Sequence, residues 1–240
     1  MLDAGCGTGN YMLPLVLSGK VEKYIGFDAN EGMLRILKNK VNGMEDEVKT
    51  KIEITKLSLL EKLPFEDDTF DVVLHNQVVH HITKPEGPDR FLNVRPYLAE
   101  FHRVLKPGGV LTINTCVHAQ MDAFWFVKGI PSVMKSSKLR FVDQIEWDDL
   151  LTTVGFKDIS SHADSAPLLG DQYYEYEKCF TKEYREADSS WAMAEEDDLA
   201  AFLEKMKVVL GDEEKKSEFD AEVRRNLKEI GQTTQLFAWK

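Results

Sequence analysis

With 240 residues and a formal net charge of −11, the chain can bury a sizeable core as one α/β domain plus a subdomain, and its acidity argues against nucleic acid as a partner, because phosphate binding needs a basic surface. Three cysteines, Cys6, Cys116 and Cys179, are spaced too widely and irregularly for a zinc site or a disulfide framework. There is no signal peptide and no apolar run of membrane length, so the expectation is a cytoplasmic protein without a membrane partner.

Leu2, Asp3 and Ala4 read as the end of a strand, and Gly5-Cys6-Gly7-Thr8-Gly9 as a turn with glycine at every second position. Alternate glycines allow positive φ and let a ligand touch the main chain. Tyr11 to Leu17 begins a helix whose free N–H groups face that turn. Strand, glycine turn and helix start together form a nucleotide cradle. Val21 to Phe27 reads as a second strand with Asp28 at its end, 19 residues past Gly9. An acid there receives a pair of ribose hydroxyls, or it caps the helix that starts near Glu31. The hydride-transfer fingerprint is G-x-G-x-x-G; here the third glycine comes one residue early, at Gly9, which disfavours a nicotinamide cofactor.

Further along, Ile52–Ile54, Val72–Leu74 and Val110–Ile113 are short and β-branched, as buried parallel strands are. Helical stretches intervene. Glu31 to Lys40 carries Met33, Leu34, Ile36 and Leu37, and another begins at Pro96 and runs through Leu98, Phe101, Val104 and Leu105 to a stop at Lys106-Pro107-Gly108-Gly109. This alternation predicts a parallel, doubly wound sheet. Gln144 to Val154 reads as a helix ended by Gly155, Phe156 to Ile159 as a sixth strand, and Thr233 to Lys240 as a seventh. About 70 residues separate the last two strands, too many for a plain loop. They hold Tyr173, Tyr174, Tyr176, Phe180, Tyr184 and Trp191, then charged helices near Glu195 to Leu210 and Asp212 to Ile230. A second insert, His118 to Phe141, holds Phe124, Trp125 and Phe126. These aromatics either shape a lid over an apolar pocket or anchor the helices to the core.

Three segments carry a resemblance: Leu2 to Asn10 (LDAGCGTGN), Leu63 to Val73 (LPFEDDTFDVV) and Phe101 to Leu111 (FHRVLKPGGVL). In order and spacing they resemble the class I S-adenosylmethionine-dependent methyltransferases, in particular the small-molecule group with an LDxGCGTG motif. The resemblance implies an α/β, doubly wound, mostly parallel seven-stranded Rossmann-like sheet. Its last strand is expected antiparallel at the sheet edge, with helical inserts as a lid. The implied division is a cofactor-binding core at 1–116, an insert at 117–144, a helix and strand six at 145–163, a lid insert at 164–231 and the last strand at 232–240. S-adenosylmethionine is the implied cofactor, and the partner is a small organic acceptor methylated on O, N, C or S. The protein's task is then mainly to position the two and exclude water.

Residue by residue, the resemblance puts Gly5, Gly7 and Gly9 under the methionine and ribose, and Asp3 at the cofactor's amino group through water. Asp28 takes the ribose hydroxyls and Ala29 borders the adenine. Ser58 stands where relatives often have an aspartate for the adenine amino group, with the Leu59 N–H beside it. Asn76 offers its carbonyl to the methionine amine, next to Gln77. His81, with His80 beside it, stands at the pocket floor, where a neutral imidazole takes a proton from the acceptor. In the other reading one ring packs beneath the cofactor and its neighbour faces solvent. No metal is expected, because His75, His80 and His81 are spaced by five and one and do not surround one ion on a single helix face. Asn76-Gln77-Val78-Val79 also lacks the Asn/Asp-Pro-Pro-aromatic turn of methylases acting on adenine or glutamine. Family members carry a helix upstream of strand one, whereas this chain starts at Met1, so weaker folding or cofactor binding is expected. The alternative is a catalytically silent relative that binds S-adenosylmethionine, or only a partner protein, through its charged C-terminal helices, and the oligomeric state is left open.

Overall fold

The β-branched runs pair into one sheet of seven strands: β1 (Leu2–Ala4), β2 (Tyr24–Asp28), β3 (Ile52–Lys56), β4 (Phe70–Asn76), β5 (Leu105–Thr115), β6 (Lys157–Asp164) and β7 (Thr233–Trp239). The structure is a computed structural model, and it describes residues 1–85, 89–168, 170–186 and 188–240. The strand order is β3-β2-β1-β4-β5-β7-β6. The first five strands run parallel, with Leu2 opposite both Ile25 and Val73, while β7 is antiparallel to β5 and β6.

The doubly wound, mostly parallel sheet is as expected, with one correction. β7 does not lie at the edge; it inserts between β5 and β6. The side chains explain the exchange. β7 buries Thr233, Thr234, Leu236 and Ala238, whereas every residue of β6 except Ile159 is exposed. A polar strand suits an edge, where one row of backbone groups meets water.

The helices are α1 (Met12–Leu17), α2 (Glu31–Asn42), α3 (Asp46–Lys49), α4 (Val94–Val104), α5 (Trp125–Gly129), α6 (Pro131–Arg140), α7 (Gln144–Val154), α8 (Lys182–Glu186), α9 (Glu196–Leu210) and α10 (Glu213–Ile230). α4 and α7 cover one sheet face, burying Tyr97, Leu98, Phe101, Trp147 and Leu150 with Leu2, Val73, Leu111 and Leu236. Each such side chain contributes roughly 1.5–3 kcal/mol. On the other face, Met12 and Val16 of α1 and Leu34, Leu37 and Val41 of α2 pack with Tyr24 and Cys6. Past α1 that face opens into a groove of about 1110 Å³ running by Pro14, Val72, Thr112 and Phe237.

The two aromatic-rich inserts fold on each other into a second core. Trp125 sits at its centre, with the rings of Tyr176 and Phe202 at 5.5 and 6.0 Å, and Phe126 stacks on Trp191 at 4.6 Å. The Trp125 indole N–H donates to Tyr173 O at 3.2 Å, and the Tyr173 hydroxyl donates to Ala123 O at 2.8 Å. This core stands beside the C-terminal ends of the parallel strands. There β1 has β2 on one side and β4 on the other, the switch point at which open α/β sheets form their crevice.

Candidate active site

At the C-terminal ends of β1, β2 and β4 lies a cavity of about 550 Å³, with the glycine turn on one wall. The Gly5 and Cys6 N–H groups both donate to Phe27 O at 2.9 Å, tying the turn to β2. Gly5, Gly7 and Gly9 have φ of 88°, 52° and 76°, yet their bare faces look at different neighbours. A Cβ on Gly5 would stand 2.5 Å from Val78 Cγ2 and one on Gly9 2.3 Å from Leu37 Cδ1, whereas one on Gly7 would meet nothing within 4 Å. Gly5 and Gly7 line the cavity and Gly9 does not. The expectation that Gly9 passes beneath a ligand therefore gives way to packing, since its bare face lets α2 close on the turn. From α2, Lys40 Nζ donates to Thr8 O at 2.8 Å and to Asn10 Oδ1 at 3.0 Å.

Two carboxylates enter from the strand ends. Asp3 is buried and accepts from the Tyr24 hydroxyl at 2.5 Å. Burial pushes its carboxyl up to about 7, against the pull of the Tyr24 bond and with a small addition from Asp28. Asp28 Oδ2 accepts from Gly7 N–H at 2.9 Å, and Oδ1 accepts from Asn30 N–H at 2.8 Å. These bonds fix the carboxylate plane and leave further lone pairs for a ligand. The cap of α2 is Asn30 and not Asp28, Asn30 accepting from Gly32 and Met33 N–H.

Across the cavity lie Ala29, Ser58 and Leu59, with Ser58 Oγ accepting from Leu60 N–H at 3.1 Å. Asn76 and Gln77 close the side below β4. Gln77 has φ 52°, a conformation that non-glycine residues seldom adopt and that clusters at functional sites. Both its backbone N–H and its Nε2 donate to Asn114, each at 2.8 Å.

The two histidines part company. His81 is exposed and lines this cavity; partial burial and then the charge of Arg140 lower its pKa. His80 does not line it. Its ring stacks on Phe141, with centroids at 4.4 Å, and borders a neighbouring cavity. The two rings lie side by side, with centroids at 4.0 Å, yet only His81 borders the cavity, so His80 is not placed to take a proton there. His75 is fully buried, with Nδ1 2.9 Å from Ala4 O, and reaches neither cavity. Two residues not singled out beforehand, Asn10 and Tyr11, border both cavities. The available signal was their place directly after Gly9.

Residues 2–113 match the family described as a methyltransferase domain. The ubiquinone/menaquinone biosynthesis C-methyltransferase UbiE of Geobacter sulfurreducens is 28% identical over 184 residues, which is 68% of this chain and 66% of that protein. A demethylmenaquinone methyltransferase of Staphylococcus aureus is 30% identical over 153 residues, 61% of this chain and 57% of that protein. In sequence, residues 2–113 are thus similar to a methyltransferase domain.

The chain's fold is shared with a protein of Anabaena variabilis assigned as a methyltransferase of an antibiotic biosynthesis pathway, at TM-score 0.71 and 18% identity over 99% of this chain and 90% of that one. The chain spans less than two thirds of the length of the two curated relatives. Both are named for methyl transfer, which does not favour the catalytically silent reading. All the cavity residues discussed above, from Asp3 to His81, fall within the matched methyltransferase segment, whereas the second core is built almost wholly beyond it. No helix among the described residues is long and apolar enough to cross a membrane.

Proposed function

We propose that this chain binds S-adenosylmethionine in the 550 Å³ cavity and transfers its methyl group to an O, N, C or S atom of a small organic molecule. One observation carries the reading. Asp3, Gly5, Gly7, Asp28, Ala29, Ser58, Leu59, Asn76 and Gln77, from four separate sequence segments, wall a single cavity beside the switch point. In this reading the turn's bare Gly7 lies along the cofactor, Asp28 takes the ribose hydroxyls, and Ser58 and Leu59 meet the adenine. Asp3 and the Asn76 carbonyl attract the methionine amine.

The chemistry asks little acid–base work of the protein. The acceptor atom donates an electron pair to the methyl carbon, the carbon–sulfur pair returns to sulfur, and any proton on the acceptor leaves. Holding the two partners in line and excluding water is the main task. Where the acceptor carries a proton, His81 is the proposed base, because it lines the cavity and is held neutral. The division into a core at 1–116, 145–163 and 232–240 and a cover at 117–144 and 164–231 belongs to the same reading. So does a cytoplasmic location, which three free cysteines suit.

The test is isothermal titration of the chain with S-adenosylmethionine and with S-adenosylhomocysteine. Micromolar binding of both, lost in Asp28→Ala, is expected. A folded chain that binds neither would refute the reading.

A further inference from the structure

Asn10, Tyr11 and Gln77 form a shared wall between the proposed cofactor cavity and a second one of about 340 Å³. Its other walls combine His80 after β4, Phe141 from the first insert, Tyr173 and Leu168 from the second, and Gln232 before β7. Resting on the reading above, we propose that this second cavity is the acceptor chamber. It takes an uncharged, planar system of one or two rings bearing an oxygen that hydrogen-bonds to Gln232 and His80.

The Gln232 side chain makes the strongest demand. The residue is fully buried, and its Oε1 accepts from Leu168 N–H at 2.6 Å, which leaves the Nε2 end free. That nitrogen has no acceptor among the described residues. The Tyr173 hydroxyl beside it donates to Ala123 O at 2.8 Å and accepts from Trp125 N–H at 3.2 Å; Gln232 Nε2 approaches its remaining lone pair, but without the geometry of a full hydrogen bond. A buried N–H₂ facing a cavity carries a desolvation penalty that an acceptor atom on a ligand removes.

His80 supplies the second contact. Its Nδ1 is buried without a partner among the described residues, and its ring lies against Phe141 at an angle of 24°. Burial, followed by His81 and Arg140, pushes its pKa down to about 3. A neutral imidazole offers one N–H and one lone pair, matching a hydroxyl or a carbonyl.

Size and charge narrow the ligand further. An apolar cavity of about 150 Å³ accommodates benzene, so 340 Å³ admits two fused rings. Phe124, Phe141 and Tyr173 supply flat apolar walls, and among the described residues the lining contains Asp188 but no lysine or arginine. A carboxylate or phosphate would enter against Asp188, and Arg140, the cation that acts on His80, reaches this wall only through its field and does not line the chamber.

The probes are 1-naphthol, naphthalene and 1-naphthoate, titrated by ligand-observed NMR into the full chain saturated with S-adenosylhomocysteine. 1-Naphthol should bind at least tenfold more tightly than either of the others. Gln232→Leu and His80→Phe should each weaken 1-naphthol at least fivefold while leaving naphthalene unchanged. Leu168→Trp, at a position 42% exposed, should fill the chamber and abolish 1-naphthol binding without touching the core. The proposal is overturned if 1-naphthoate binds as well as 1-naphthol, if the polar variants keep wild-type affinity, or if Leu168→Trp binds unimpaired. Titrating S-adenosylhomocysteine alone separates the two readings. No binding there sinks the cofactor reading and this one with it, whereas S-adenosylhomocysteine binding without 1-naphthol sinks the chamber alone.

Discussion

Asp3 is buried beside a tyrosine, and its carboxyl titrates near 7 instead of near 3.8. Between about pH 4 and 7 the folded chain therefore keeps a proton that the unfolded chain has released, and stability falls as pH rises through that window. A cationic amine in the cavity favours the ionised form, so cofactor binding near pH 6 should expel a proton from Asp3. Titration heats measured at pH 6 in buffers of different ionisation enthalpy should diverge, and should agree again in Asp3→Asn; identical heats in the wild type would count against it. The glycines separate in the same way. Gly9→Ala drives a methyl into Leu37 and should cost about 1–3 kcal/mol in a urea melt, whereas Gly7→Ala, with open space ahead of its Cβ, should cost less stability and weaken cofactor binding at least tenfold. His81→Ala should lower turnover at saturating cofactor at least tenfold if the acceptor carries a proton; unchanged turnover would remove the base role.

Among the elements, the cover is held by specific ties. Arg90 donates to the carbonyls of Lys138, Leu139 and Phe141 at 3.0–3.1 Å, closing the end of α6, and pairs with Glu146 of α7. Arg90→Met should lower stability by on the order of 2 kcal/mol and release Phe141 from His80, seen as a shifted His80 ring resonance. Trp125→Ala should cost about 3–5 kcal/mol, the usual penalty for deleting a buried aromatic. Part of this level was legible in the chain. Gln144–Val154 matches α7 because its apolar spacing ends at Gly155, and Leu2–Ala4 matches β1 because the glycine turn marks its end. The reading Val21–Phe27 starts three residues before β2, and Val72–Leu74 falls two residues short of β4 at each end, because apolar content alone does not report where pairing begins. What stayed hidden depends on pairing across distance. Nothing local to Thr233–Trp239 says that it slips between β5 and β6, and nothing in Trp125 names Phe202 as its neighbour. Gly9 looked like Gly5 and Gly7 because a spacing pattern does not report which residue fills the space in front of each. Gln232 carries no motif at all.

For the whole molecule, β7 is the strand on which one side of the sheet depends. β6 pairs with β7 and with no other strand, and Leu236 and Ala238 of β7 belong to the main core. Removing residues 233–240 should therefore unpair β6 and open Lys157–Asp164 to protease, with a lowered thermal midpoint. Unchanged protection of that segment would show that β6 is held by something other than this pairing. The Gln77–Asn114 bonds continue along the same axis, since Asn114 Nδ2 donates to Thr233 Oγ1 and Gln235 Oε1 at 3.3 Å each.

That arrangement imposes an order of assembly. Asp3, Asp28, Asn76 and Gln77 leave the ribosome more than 150 residues before Gln232. A nascent chain can thus fold the cofactor side while the far wall of the neighbouring chamber is still being synthesised. In the proposed reading, the reacting centre stays open to water until β7 docks, and an unfinished chain would capture a methyl donor without yet being able to use it.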